Sequence, residues 1–559
     1  MFSVLVIAAP GQNWLQWGQN AQHSGAVSVT GQNAVQQYAN IVYDPFVSAE
    51  QAEAGGDLVV HYQSPLVDGN DVFMEFKSGR YVPCDPPGSG QPFPCGSDAW
   101  DQQVWSEKRI EWQNGMLAEV WRFDSDWKPE PDAGSLGGWE PVFHAALAGG
   151  FVYVPGAGGT VFKLNRDDGT VVARLNPFGS IDPSTFVAGP LTADAAGNIY
   201  YNVIRLAIAA DPAQNNPWGA DVLGAWLVKI GADDSIAMAS FASLTSGAPA
   251  PGDRCFTTFT DHNLPWPPSP DSIPPTQACG SQRPGLNVAP AVAPDGAIYT
   301  ISRAHFNGRY AYLVAVNPDL TPKWTASLRD RLNDGCGVLA PPSGSPGGCR
   351  AGAAFGVDPA TNQLPAGRVI DQSSSSPVVA PDGSILYGAY TRYNHARGHL
   401  FKFSPAGQFL GFYTFGWDLT PAVYAHDGTY SVVGKDNHYG VGSYCDNDNF
   451  CPPANPGPYF ITQLSANLLP EWVFLNLNIT PDHPGGFEWC VNAPAVDVNG
   501  AVYANSEDGN VYVIGQTGLL QSQLFLNLAI GAAYTPISIG PDGKIYAQND
   551  GRLFVIGSQ

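Results

Sequence analysis

Charge is what this 559-residue chain has least of: Asp, Glu, Lys and Arg together make up 13% of it. Only 26 residues are Lys or Arg, against 49 Asp or Glu. The resulting formal charge of −23 would repel a phosphate backbone over most of the surface, which argues against nucleic acid as a partner. No apolar run is long enough to cross a bilayer as a helix. No amphipathic helical run of convincing length is present, so an α class is disfavoured. No cysteine pair has CxxC spacing and there is no CxxCH, which argues against zinc-ribbon, thioredoxin-like and attached c-type haem chemistry.

What is present belongs to strands and turns. Aromatics reach 12%, and 63 Gly with 49 Pro punctuate short apolar runs. A proline followed by an apolar residue recurs eight times, at Pro65, Pro141, Pro190, Pro290, Pro377, Pro421, Pro494 and Pro536. Most copies run into a tight turn and a second strand, as in "APAVAPDGAIYTIS" (289–302) and "VDVNGAVYANS". A third strand follows ("YLVAVNP", "VYVIGQ"), then a fourth carrying an aromatic ("PKWTASL", "PEWVFLN"). Four short strands repeated eight times predict an all-β, eight-bladed propeller of four-stranded antiparallel blades. The last unit ends at "RLFVIGSQ", one strand short. The segment "QYANIVYDPF" (37–46) has fourth-strand character, so it is expected to complete that blade and remove an open edge.

These units resemble the repeats of pyrroloquinoline quinone (PQQ) enzymes and of the assembly lipoprotein BamB. The stretch "WLQWGQNAQHSG" (14–25) looks like the entry segment of such propellers, and the resemblance runs from about Trp14 to Gly557. It implies the fold and leaves the activity open, because propellers host many functions. The alcohol dehydrogenases of that family carry two adjacent cysteines over the cofactor. This chain has none, so PQQ as cofactor is not supported by that motif.

Residues 1–9 read as the remnant of a secretory signal, with an ordinary first strand as the alternative, and 10–559 as one propeller. Eight of the nine cysteines fall as near neighbours in Gly- and Pro-rich loops: Cys84 with Cys95, Cys255 with Cys279, Cys336 with Cys349, and Cys445 with Cys451. Local pairs of this kind read as disulfides of a secreted or periplasmic protein. Cys490 is left over as a thiol.

With strands lettered A to D outward from the axis, A–B and C–D turns share one face, and B–C and D–A connections share the other. The first two sets are short throughout. The long pieces (77–102, 205–224 and 435–458 between B and C; 124–138, 245–287, 329–373 and 475–490 between D and A) all fall on the opposite face. Long stapled loops mark that face as the working one.

Candidate residues gather there. Strand-B ends carry Lys77, Arg205, Arg303, Arg392 and Lys435, a concentration of cations suited to an anionic small molecule, a glycan or an acidic protein partner. The alternative is strand ends paired with local acids. His305, His395 and His438 lie in three successive B–C loops, His395 beside Tyr393, and such groups can serve as acid or base near neutral pH. Trp139, Glu140, Asn287, Asp418 and Asn492 precede strands A, where a ligand pocket would form. Asp446, Asn447 and Asp448, in "CDNDNFC", offer oxygen ligands suited to Ca²⁺, although an Asx-rich turn needs no ion. Three functions follow: a binding propeller for an anion or partner, a PQQ-type sugar or alcohol oxidoreductase, and a lyase or hydrolase acting on acidic polysaccharide.

Overall fold

A computed structural model describes residues 13–53, 56, 63–83, 100, 102–130, 142–208, 217–259, 268–332, 335–337, 350–371, 375–390, 397–416, 419–437, 458–489, 493–530 and 535–558. Eight antiparallel sheets form the expected blades. Blade one, for example, orders Leu66–Asp68, Asp71–Gly79, Gln103–Gln113 and Met116–Asp124 from the inside out. In blade eight the outer strand is Gln36–Val42, paired antiparallel with Arg552–Gly557, so the ring closes as the repeat count requires.

Alternation decides what each blade buries. Inner strands are apolar on both faces because they pack between neighbouring blades. Ala291–Val292 and Ile298–Ala304 of blade four are buried throughout. Outer strands keep one face in water, as in Pro322–Ser327. Asp295 does turn chemistry: its Oδ1 accepts from the Ala297 backbone 3.0 Å away.

The inner edges of the strands A need partners too, and residues 14–32 supply them on the A–B turn face. Trp14 and Val67 exchange backbone bonds of 2.8 and 2.7 Å in blade one. Leu15 O accepts from Leu147 N in blade two, and the Gln16 side chain takes the Ala193 backbone in blade three. Ala21 O, Gln22 O, Ser24 O and Gly25 O then accept from Val292, Val379, Val423 and Val496 in blades four to seven. Gln32 N donates to Gly543 O in blade eight. The segment is thus a collar bonded to every blade. Its His23 is fully enclosed and reaches Pro377 O at 2.8 Å and Thr192 Oγ1 at 3.3 Å, bridging blades five and three. Burial lowers the His23 pKa to about 4, so the ring is neutral at pH 7.

A second buried polar layer lies in blade one. Glu75 and Glu107 face each other across the strand pair, 3% and 1% exposed. Burial pushes Glu107 up to about 8, so it is protonated at neutral pH.

Two predictions follow from these contacts. Gly25 has φ +61°, and a Cβ there would stand 2.8 Å from Pro494 O and 3.0 Å from the Ala422 Cβ. Gly25→Val should therefore cost at least about 2 kcal/mol, read as a drop in the thermal unfolding midpoint by circular dichroism. Glu107 has a folded pKa above its unfolded one. Its contribution to stability is present below about pH 4.5 and is lost as pH rises through about 8. Urea unfolding at pH 5 and pH 8.5 should show Glu107→Gln gaining on the parent at the higher pH; an unchanged difference would contradict a protonated Glu107.

Candidate functional site

The long connections fall where the face argument puts them. Strands B and C are joined by 80–102, 206–223 and 438–458 in blades one, three and six, and strands D and A by 241–281 and 328–377 around blade four. One of the expected disulfides is formed within the described residues, Cys255–Cys279. It ties the hairpin Arg254–Phe256 and Thr276–Ala278. Cys336 is disulfide-bonded, and its expected partner Cys349 lies outside the described residues.

Beside that hairpin is a cavity of about 390 Å³ lined by Arg283, Arg303, Arg309, Arg368, Asp371, His305, Trp218, Phe306, Asn307, Thr257, Thr258 and Gln277, among others. Its back wall is built by strand register. Gln282–Pro284 pairs with the end of Ile298–Ala304 so that Arg283 stands directly opposite Arg303. Two like charges facing each other across a strand pair repel. Asp371, delivered by the connection to blade five, resolves this. Its Oδ1 and Oδ2 accept from Arg283 Nη1 at 2.8 Å and Nη2 at 2.6 Å, a bidentate pair. Oδ2 also accepts from Arg303 Nη1 at 3.1 Å. Burial alone would push Asp371 up. The two guanidinium groups outweigh it and hold the carboxyl below the usual range.

His305 completes the wall. Arg283 Nε donates to its Nδ1 at 3.0 Å, and its Nε2 donates to Trp218 O at 3.2 Å. This fixes a neutral tautomer. Burial first, then Arg283 and Arg303, lower its pKa to about 4. With both nitrogens engaged, His305 orients Arg283 and holds no exchangeable lone pair for base catalysis. Arg303 keeps capacity. Its Nε, Nη1 and Nη2 each make one bond, to Ala304 O, Asp371 and His305 O, so three of its five N–H donors are used. Burial lowers Arg303 to about 10, which leaves it charged at pH 7.

Three of the other cations named from sequence, Lys77, Arg205 and Lys435, do not join it. Lys77 is enclosed between Asp44 Oδ2 at 3.1 Å and Glu50 Oε1 at 3.3 Å. Arg205 pairs with Asp182 Oδ2 at 2.8 Å and stacks over Phe178 and Trp226. Lys435 is buried at the seam of blades five and six, beside Leu419 and Asp436. Asn287 serves the scaffold. At φ 63°, a conformation Asn tolerates, its Oδ1 accepts from Val142 N at 2.8 Å and its own N donates to Ala188 O at 2.7 Å, joining blades two, three and four. Trp139, Glu140, Arg392, Tyr393, His395, Asp418, His438, Asp446, Asn447, Asp448, Asn492 and the cysteines 84, 95, 445, 451 and 490 lie outside the described residues.

Arg283, Arg309, Arg368 and Asp371 were not indicated by strand-end counting. The register between Ala291 and Tyr299 would place Asn287 opposite Arg303, but residues 285–290 leave the ladder and Arg283 takes that place. Glu130 was missed as well. It is 1% exposed, both its oxygens lack partners, and burial with a further push from Asp371 raises it to about 8.

These residues do not fit a calcium-dependent quinone. Ca²⁺ needs six to eight oxygen ligands. Asp371 is saturated by two arginines and the Leu286 N–H, Asn287 Oδ1 is taken by Val142, and of the described carboxylates here only Glu130 has both oxygens without a hydrogen bond. Among the described residues, no three His, Cys, Asp or Glu side chains gather around one point.

No protein-family model and no curated protein matches the sequence. Solved structures do. The quinohemoprotein alcohol dehydrogenase of Comamonas testosteroni superimposes with a TM-score of 0.51 at 12% identity, covering 100% of this chain and 82% of that one. A europium-containing methanol dehydrogenase gives 0.49 at 10%, covering 96% and 89%. BamB from Moraxella catarrhalis gives 0.37 at 12%, covering 81% and 94%. At such identities the likeness speaks for the fold alone: an eight-bladed propeller of four-stranded antiparallel blades closed by an N-terminal strand.

Proposed function

We propose that this chain is a binding propeller of an oxidising compartment, secreted or periplasmic, that holds an anionic ligand on its looped face. The observation that carries the reading is the convergence of Arg283, Arg303, Arg309 and Arg368 on one cavity in a chain with few cations. Within it Asp371 serves two of the arginines and Asp358 pairs with Arg309 at 3.5 Å. Among the described lining residues and their ion-pair partners, four arginines stand with two carboxylates while the chain as a whole is acidic, so field lines focus an anion into the cavity. A volume of about 390 Å³ suits a small molecule or the end of a larger acidic chain. The compartment is supported by the enclosed Cys255–Cys279 disulfide. Among the described residues no helix is long and apolar enough to cross a membrane.

Isothermal titration with a panel of small carboxylates, sulfate, and PQQ with Ca²⁺ tests the reading. At least one anion should bind, more weakly as salt rises. Arg303→Ala should weaken it about 30-fold or more, the worth of a charge-assisted hydrogen-bond pair. Silence across the panel would overturn the binding reading. PQQ binding together with dye reduction by an alcohol or sugar would replace it with a quinone-dependent oxidoreductase.

A further inference from the structure

The cavity has two unlike walls. Arg303, Arg309 and Arg368 form one, from the end of strand B, the start of strand C and the connection to blade five. Among the described residues the other lining is uncharged and lies on or just after the stapled hairpin: Thr257, Thr258 and Gln277. Gln277 is held in a defined pose, because its Nε2 donates to Phe306 O at 2.5 Å. That bond uses one of the two amide N–H groups and leaves Oε1 as an acceptor and the second N–H as a donor. Thr257 Oγ1 donates to Pro275 O at 3.2 Å, which likewise leaves that hydroxyl accepting. The cationic wall asks for an anion, and the uncharged lining, with Gln277 Oε1 and Thr257 Oγ1 accepting and one Gln277 N–H donating, asks for a group that does both.

A second carboxylate or a sulfate oxygen against Gln277 Oε1 would set acceptor against acceptor. An ammonium donor would sit among guanidinium groups. The group that answers this lining beside the arginines is an uncharged hydroxyl, which donates and accepts at once. Resting on the anion-binding reading above, we propose that the cavity is selective for a sugar acid: a pyranose bearing one carboxylate, read by Arg303 at the acid and by Gln277 and the two threonines at the hydroxyls. The Cys255–Cys279 disulfide closes the hairpin, and Gln277 Nε2 to Phe306 O with Asn307 Nδ2 to Phe256 O tie it to the blade that carries Arg303, so the spacing between carboxylate and hydroxyls is itself read.

The test is calorimetry on the full chain with four probes of matched size: glucuronate, galacturonate, glucose and cyclohexanecarboxylate. A trimer of galacturonate separates a free acid from the end of an acidic polysaccharide. One of the two uronates, or the trimer, should bind at least tenfold tighter than both glucose and cyclohexanecarboxylate. Gln277→Ala should remove about tenfold of that advantage while leaving cyclohexanecarboxylate binding unchanged, and Arg303→Ala should weaken both acids together. Cyclohexanecarboxylate binding as tightly as the uronates would overturn the sugar-acid assignment and leave the anion reading standing. Binding of sulfate or PQQ with none of the uronates would do the same. Failure of every anion would remove both. Unchanged binding in Gln277→Ala would show that the neutral wall reads nothing.

Discussion

The molecule depends on hydrogen bonds that strands pointing at the ring axis cannot make for themselves. Each strand A has one neighbour, strand B, and an inner edge with none. Residues 14–32 answer that edge blade by blade, through Val67, Leu147, Ala193, Val292, Val379, Val423 and Val496, and reach blade eight through Gly543 in its A–B turn. In blades four to seven the donor sits two residues after the proline of the repeat. The recurrent proline and valine are thus the start of an inner strand whose N–H groups are reserved for the collar. A buried unpaired N–H costs about 1–3 kcal/mol, so several such bonds rival the net stability of a domain.

The collar also explains why the two faces differ. It runs along the turn face, and His23 inside it ties blade three to blade five. A face closed in this way tolerates little change in the A–B turns, and those turns are short throughout. Connections on the opposite face meet no such constraint and have grown, as 241–281 and 328–377 show. The cavity forms between those two insertions, with Trp218 added from the B–C connection of blade three.

Repeat number, ring closure, disposition of long loops and one disulfide were legible because each follows from local chemistry: Asp–Gly turns, prolines at strand starts, cysteines close in sequence. The site was half legible. Strand-end counting found Arg303 and the following turn drew attention to His305. It also gathered Lys77 and Arg205, which answer to Asp44, Glu50 and Asp182 instead. Those acids reach their cations from other strands and connections, so no counting rule within one strand reveals them. Arg283 was hidden by the break at 285–290, which moves the register by four residues. Asp371 comes from a 50-residue connection whose path composition does not state.

The two buried charge clusters show why one cation site is scaffold and the other is a site. At the seam of blades eight and one, among the described residues, Lys77 lies between two carboxylates. An arriving anion would find its charge already exceeded. In blade four a single carboxylate, Asp371, lies between two guanidinium groups, and the surplus is positive. Burial of that surplus is costly unless something offsets it. Of the other titratable groups described nearby, His305 is neutral and Glu130 holds its proton at pH 7, while Asp221 is engaged by Ser281 and reaches the cluster only through its charge on His305. What remains is the cavity itself, and an anion there would lower the energy of a pair of arginines that the strand register forces together.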